Sequence, residues 1–396
     1  MRKLWYMGLE PYQGRYTLQL QQWNEAVFQR RGINYEVVLG DTLTTDQAIV
    51  TGQVLDAHGR TYYSLTQMAR LVHLMKTGQV SGDDAVFFED MYTTGLDALG
   101  YIMDQVGPEH RPRIYVRCLA QTIDPDDFLH VWGMTDWMRH YESSTNAIVK
   151  KSGGAVLASN EEMVAHMRVA GWDVPIYNVS GLAFGKSEVL DRVNNVIRPF
   201  AQRTMRVGFA ARFDQEKQPG FFMDLIDEWH NRFPTMGVEF AVFSGGPLRS
   251  NDAKYLERAR RMQAEGRLAI YENLTKNQYY DLLNDTRVLF NCALQDWTSN
   301  TISEADALGA NVLFPAYRSF PETLANDYTR MYIPWSREDV INKLHYLLID
   351  CHPRAGQLSD WTDGCIDRYV DIMLGQGKQW RRDSKDYRNH TNESKY

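Results

Sequence analysis

The sequence lacks cysteine pairs, long apolar runs and an excess of basic residues. Its 4 cysteines occur in no CxxC or Cys/His spacing, which argues against a zinc site or a disulfide framework and favours reduced thiols. No segment approaches the roughly 20 apolar residues that span a bilayer, so we expect no membrane association. The net charge of −7 argues against a nucleic-acid-binding surface along the whole chain. The cysteines are Cys118, Cys292, Cys351 and Cys365.

The first residues, Met1–Gly8, hold one short apolar run without the features of a cleavable signal. Together with the reduced cysteines, this predicts a cytoplasmic protein. The 396 residues, 44% hydrophobic and 23% charged, are enough for two ordinary globular domains.

Short β-rich runs alternate with segments of helical period, which predicts parallel α/β architecture. The predicted strands are Lys3–Met7, Tyr35–Leu39, Ala85–Phe88, Ile114–Leu119, Gly154–Ala158, Pro175–Val179, Met205–Ala210, Val238–Phe243, Leu268–Tyr271, Arg287–Ala293 and Asn311–Pro315. The predicted helices are Thr17–Arg30, Ser64–Lys76, Asn160–Ala170, Gly220–Arg232, Asn277–Asn284 and Ser299–Leu308.

The pattern restarts after a segment that contains Arg198-Pro199, which predicts two Rossmann-like domains facing a central cleft. We expect an N-terminal acceptor domain over residues 1–195 and a C-terminal donor domain over residues 205–360. Residues 361–396 are expected to form a helix and a polar tail that return to the N-terminal domain.

Two cations lie five residues apart in the loop after the predicted strand Met205–Ala210. Arg212 offers a planar fork for phosphate oxygens, and Lys217 offers a mobile positive charge. The alternative is a solvated pair whose partners are the neighbouring Asp214 and Glu216. Spacing alone does not choose between these interpretations.

Glu304 lies on the helix predicted after Arg287–Ala293. A carboxylate can accept two hydrogen bonds from the vicinal hydroxyls of a ribose. The alternative is a capping box over Thr301–Glu304, in which the carboxylate would bond only to its own helix start.

These residues, with Asp296-x7-Glu304-Ala-x-Ala-x-Gly309 and Pro321-Glu322, resemble the C-terminal half of the retaining GT-B glycosyltransferases, the E-x7-E family that uses nucleotide sugars. The resemblance implies that Arg212 and Lys217 bind the donor diphosphate and stabilise the leaving group. It implies that Glu304 holds the ribose, and that Asp296, shorter than the usual Glu, approaches the sugar. Backbone N–H groups of Ser299, Asn300 and Thr301 would meet the phosphates.

The N-terminal half matches the family more weakly. Gly8 and Gly14 lie where such enzymes carry a glycine-rich donor loop, although the usual paired glycines are missing. The region Tyr115–Gln121 has no counterpart of the family histidine. Because cations and a helix N-terminus would stabilise the leaving phosphate, no metal or other cofactor is expected. Asp124-Pro-Asp126 is interpreted as a turn rather than a metal motif.

Acceptor contacts are predicted at the ends of the N-terminal strands. Glu89 and Asp90 could orient an acceptor hydroxyl, although helix capping or a salt bridge explains them equally well. Arg117 could bind an acceptor phosphate or pair with Asp124 or Asp126.

The function expected from the resemblance is transfer of a hexose from a nucleoside-diphosphate sugar, UDP-glucose by family frequency, to a hydroxyl acceptor. The segments 117–127 and 314–321 resemble phage-encoded glycosyltransferases, so the first acceptor hypothesis is a hydroxymethylated pyrimidine in double-stranded DNA, in a host cytoplasm. The alternatives are transfer to a small molecule, lipid or glycan, a nucleotide-sugar epimerase of the same fold, and a binding protein without turnover.

Overall fold

The computed structural model describes residues 2–12, 16–43, 57–131, 133–349 and 356–376. These residues form two compact units. The first contains the described residues up to Ala183 together with those from Gly364 onward, and the second contains those from Phe184 to Asp363. The predicted linker around Arg198-Pro199 therefore lies inside the second unit.

The first unit is a parallel sheet with helices in the connections. Its described strands are β1 Leu4–Met7, β2 Tyr35–Val37, β3 Ala85–Phe88, β4 Arg113–Arg117, β5 Ala155–Ala158 and β6 Ile176–Asn178. Its described helices are α1 Tyr16–Arg30, α2 Ala57–Lys76, α3 Ala98–Gln105, α4 Phe128–Val131, α5 Thr135–Ser152, α6 Glu161–Val169 and, from the far end of the chain, α15 Cys365–Met373.

The sheet order of the first unit is β2-β1-β3-β4-β5-β6, with every neighbouring pair parallel. Strands β1, β3 and β5 are buried along their whole length, as expected for a parallel sheet covered on both faces. The chain leaves β1 toward β2 and returns to the other side at β3, so the crevice between β1 and β3 is the topological switch point.

The second unit repeats this construction. Its described strands are β7 Thr204–Phe209, β8 Glu239–Phe243, β9 Ala269–Tyr271, β10 Thr286–Phe290, β11 Asn311–Pro315 and β12 Met331–Tyr332. Its described helices are α7 Lys186–Asp191, α8 Pro219–Arg232, α9 Ala253–Ala264, α10 Lys276–Asn284, α11 Asn300–Ala307, α12 Phe320–Thr323, α13 Arg337–Ile349 and α14 Gln357–Asp363.

The order β9-β8-β7-β10-β11-β12 is the 3-2-1-4-5-6 order of the dinucleotide-binding fold. Three aromatic rings fill the layer between sheet and helix: Phe222 of α8 stacks on Phe209 at 5.0 Å and on Phe290 at 5.7 Å between ring centroids. This packing fixes β7 and β10 as neighbours, and their carboxyl ends flank the switch point of the second unit.

Two predicted strands, Ala85–Phe88 and Asn311–Pro315, are confirmed to the residue. The predicted strand Arg287–Ala293 is wrong at its end, because β10 stops at Phe290 and Asn291 begins a hydrogen-bonded loop. None of the described helices combines the length and apolarity that a membrane crossing needs.

Candidate donor site

The loop that follows β7 begins at Ala210 and ends where α8 starts. Within it Gln215–Lys217 form one 3₁₀ turn, and Gln218 adopts a left-handed conformation with φ 54°. Pro219 then occupies the first turn of α8, where its missing N–H costs nothing. The tight turn places Arg212 and Lys217 at the carboxyl end of β7, beside the switch point.

Arg212 is held by acids of its own loop. Its Nη1 donates to Asp214 Oδ2 at 3.1 Å, and its Nη2 donates to Glu216 Oε1. The Arg212 side chain is nevertheless 30% exposed. The local pairing proposed as the alternative is therefore present, and a phosphate would have to share the guanidinium with these carboxylates.

Lys217 links the two loops of the site. Its Nζ donates to the carbonyl of Gln295 at 2.7 Å and lies 3.9 Å from Asp296 Oδ2. Gln295 and Asp296 belong to the loop after β10, so residues far apart in sequence meet here. The structure thus brings together two residues of the predicted site, Lys217 and Asp296.

The loop after β10 leads into α11, whose N-cap residue is Ser299. The Ser299 hydroxyl pairs with the hydroxyl of Thr301 at 2.7 Å, rather than with the backbone of the first turn. The helix starts at Asn300, one residue later than predicted. Its N-terminal dipole end therefore lies at the carboxyl edge of the sheet, where it favours an anion.

Glu304 is buried on α11 and makes contacts that the sequence did not predict. Its Oε2 accepts a hydrogen bond from Tyr279 and its Oε1 accepts one from Tyr280, each at 2.9 Å. Lys276 Nζ lies 3.6 Å from Oε1. The capping-box alternative is wrong: the N-cap is Ser299, and the Glu304 carboxylate is engaged by the preceding helix α10 instead.

Tyr279 is a neutral donor in this cluster. Removal from water, and then the nearby Glu304 carboxylate, raise the pKa of Tyr279 well above its ordinary value. Helix α10 itself begins with a capping box between Thr275 and Gln278. That Thr-x-x-Gln signature is the sequence signal that could have placed α10, although not its contact with Glu304.

The first unit holds the other predicted residues. Gly8 follows β1, and its carbonyl accepts a hydrogen bond from Gln67 at 3.0 Å. A Cβ at Gly8 would meet the Tyr6 ring at 3.3 Å. Gly14 lies outside the described residues.

Glu89 and Arg117 are completely buried and pair with each other at 3.5 Å. The alternative given for Arg117, pairing with Asp124 or Asp126, is therefore wrong. Tyr6 donates to Glu89 Oε2 at 3.1 Å. Burial raises the pKa of Glu89 to about 7, against the opposing effect of Arg117.

Asp90 is buried and pairs with Arg60, while its Oδ1 accepts the backbone N–H of Tyr92 at 3.0 Å. The salt-bridge alternative thus accounts for Asp90 in this structure. Asp124 Oδ1 accepts the N–H of Asp126 at 3.1 Å, which confirms the predicted turn.

Solved structures share this fold along nearly the whole chain. Sucrose-phosphate synthase from Thermosynechococcus elongatus matches with a TM-score of 0.60 and 12% identity, over 100% of this chain and 100% of that one. The α,α-trehalose-phosphate synthase (UDP-forming) from Burkholderia vietnamiensis matches with a TM-score of 0.59 and 13% identity, over 95% of both chains. The Anabaena protein HepE, solved in complex with UDP-glucose, matches with a TM-score of 0.54 and 11% identity, over 94% of this chain and 97% of that one.

No protein-family model and no curated protein matches the chain by sequence. Identities of this size establish the fold alone. The predicted GT-B class, an α/β protein with two Rossmann-like domains, is confirmed.

Proposed function

We propose that this protein is a retaining glycosyltransferase that moves a hexose from a nucleoside-diphosphate sugar to a hydroxyl acceptor. The observation that carries the proposal is the meeting of two loops at the switch point of the second unit. One loop brings Arg212 and Lys217; the other brings Asp296 and the start of α11. Clefts at this position of open parallel sheets bind nucleotides.

The donor is proposed to lie with its diphosphate against Lys217, Arg212 and the first turn of α11. Glu304 lies about 6 Å along that helix from its first residue, Asn300, at about 1.5 Å per residue, which suits the ribose end of the same ligand. UDP-glucose is the proposed donor, because a solved neighbour was captured with UDP-glucose and another is described as UDP-forming.

In the proposed reaction the bond between the anomeric carbon and the diphosphate oxygen breaks, and the acceptor oxygen bonds to the anomeric carbon from the same face of the sugar. The proton of the acceptor hydroxyl passes to the departing diphosphate. The cations and the helix start stabilise the negative charge that develops on the departing diphosphate. Lys217 is fixed before the donor arrives by its bond to Gln295, so little reorganisation is needed during the reaction.

The proposed acceptor is a hydroxymethylated pyrimidine in DNA, as the sequence resemblance implies. Within the segment 117–127 that suggested it, Arg117, Asp124 and Asp127 are fully buried. That segment accordingly packs the first unit, and support for DNA rests on the sequence resemblance alone. An acceptor panel should therefore contain sugars, sugar phosphates and hydroxymethylated DNA together.

The test begins with calorimetric titration of UDP, followed by an assay of UDP release from UDP-glucose with each acceptor. We expect Lys217→Ala to weaken UDP binding about 10- to 100-fold, as loss of a charge-assisted contact does. The matched control is Lys254→Ala, which removes an exposed lysine from α9 of the same unit.

Equal UDP affinity in the Lys217 and Lys254 variants would overturn the diphosphate assignment. The anomeric configuration of the product, read by NMR, decides retention. If the donor is isomerised in the absence of an acceptor, the epimerase alternative would replace the proposed transfer.

A further inference from the structure

Helix α10 presents three polar side chains to the Glu304 carboxylate. Tyr279 and Tyr280 donate to different oxygens of that carboxylate, and Lys276 lies over both tyrosine rings, 5.6 and 5.4 Å from their centroids. Tyr280 is fully buried, so its phenol is held by packing as well as by the hydrogen bond. Both carboxylate oxygens are therefore fixed from one side.

A carboxylate accepts about four hydrogen bonds, two at each oxygen. One tyrosine at Oε2 and one at Oε1 leave one site free on each oxygen. Two remaining sites on neighbouring oxygens match two vicinal hydroxyls. The Tyr279 hydroxyl acts as the donor to Glu304, because its elevated pKa keeps it protonated at neutral pH.

We infer that Tyr279 and Tyr280 are positioning residues that orient Glu304 for the 2′- and 3′-hydroxyls of a ribose, and so make the site selective for ribonucleotide over deoxyribonucleotide donors. The inference rests on the proposed function, because it assigns the sugar end of the same donor site. The tyrosines act through Glu304 and need not touch the ligand. Lys276 adds a positive charge on the side of the carboxylate that faces α10.

The arrangement depends on α10 keeping its place beside α11. The capping box of Thr275 and Gln278 fixes the first turn of α10, which carries Lys276, and Tyr279 follows one turn later. Loss of one phenol hydroxyl would leave the ring packing intact while freeing one carboxylate oxygen to turn. The effect should therefore fall on ligand selectivity rather than on folding.

The experiment measures dissociation constants for UDP and 2′-deoxy-UDP in the wild type and in Tyr279→Phe, Tyr280→Phe and the double variant. The GDP and ADP pairs with their deoxy forms are included in case another base binds more tightly. The wild type is expected to prefer the ribonucleotide about tenfold or more, the usual effect of one hydrogen bond to a charged group. The double variant should bring this preference within about threefold, through weaker binding of the ribonucleotide alone.

The matched control is Tyr271→Phe. Its hydroxyl also donates to a carboxylate of the second unit, Glu239 Oε1, at 3.0 Å. Glu239 opens β8 at the amino end of the sheet, so this phenol points away from the donor site. The control should keep the wild-type preference, and thermal denaturation of every variant confirms that the fold is retained.

The possible outcomes separate the two proposals. A wild type that prefers the ribonucleotide, with tyrosine variants that keep the same preference, overturns the positioning role and leaves the proposed function standing. A wild type that binds both nucleotides equally also overturns the inference. A wild type that binds none of the three nucleoside diphosphates overturns the proposed function itself. If the double variant fails to fold, Tyr279→Phe alone decides, because Tyr279 is less completely buried than Tyr280.

Discussion

The diphosphate end of the proposed site carries its own counter-charges, and this makes Glu216→Gln an informative substitution. Arg212 is paired with Asp214 and Glu216, and Lys217 lies near Asp296. Two cations therefore face three carboxylates, and this local group has a net charge of −1 before any ligand binds. An incoming diphosphate is attracted by the cations and repelled by the acids that hold them.

Glutamine at position 216 removes one negative charge and keeps an oxygen that can accept the bond from Arg212. Two unit charges roughly 6 Å apart, at an effective dielectric constant of about 40–80, interact by about 0.7–1.4 kcal/mol, and a diphosphate carries more than one charge. We therefore expect Glu216→Gln to bind UDP about 3- to 30-fold more tightly at low salt. The Glu216 carbonyl, which accepts the N–H of Leu294 at 2.9 Å, is untouched by the substitution.

The assay is calorimetric titration of UDP at ionic strengths of about 0.02 and 0.5 M, since screening at high salt should shrink the gain. Glu257→Gln, an exposed acid on α9, provides the same change in net charge away from the site. Uridine, which lacks the diphosphate, should bind both variants as it binds the wild type. Unchanged or weaker UDP binding in Glu216→Gln would show that the acid serves only to orient the guanidinium, and would refute the reasoning from charge.

Two further predictions concern buried carboxylates. Because the folded protein raises the pKa of Glu89 to about 7 from 4.5, the stabilising contribution of its protonated form is complete below about pH 4.5 and is lost as the pH rises through 7. The free energy of unfolding of Glu89→Gln, measured with urea, should therefore rise by on the order of 1–3 kcal/mol relative to that of the wild type between pH 5 and pH 8. Parallel pH profiles of the two proteins would contradict this. Asp306→Ala removes a carboxylate that accepts hydrogen bonds from the N–H groups of Leu358 and Ser359, each at 2.9 Å. The free energy of unfolding of this variant should therefore be lower than that of the wild type by about 2–4 kcal/mol. A loss below about 0.5 kcal/mol would show that α14 does not depend on this carboxylate.

The sequence predicts the strands well because each is a short apolar run bounded by polar residues. Ala85–Phe88 is buried at every position, so no alternation is needed to recognise it. Helices with a polar surface are harder to predict, and α5 was absent from the expected elements. Its sequence, Thr135–Ser152, is rich in polar residues, and its buried face becomes evident only from packing against its neighbours.

The candidate site is less predictable than the fold. The local partners of Arg212 follow from spacing, since Asp214 and Glu216 lie two and four residues away. The partners of Glu304 do not, because Tyr279 and Tyr280 reach it from another helix. The burial of Glu89 with Arg117 could not be predicted from the sequence either, because the residue that follows β3 pairs with the last residue of the neighbouring strand β4.

The loop after β10 shows why the proposed donor site can act without large rearrangement. Tyr332 donates to the carbonyl of Asn291 at 3.0 Å, and Lys217 and Ser319 donate to the carbonyls of Gln295 and Asp296 at 2.7 and 2.8 Å. These donors come from β12, from the loop after β7 and from the start of α12, so three separate elements fix one loop. A loop held in this way pays little entropy when a ligand binds. Asp296 is consequently placed by its backbone, and the shorter side chain at this position sets how far its carboxylate can extend toward a sugar.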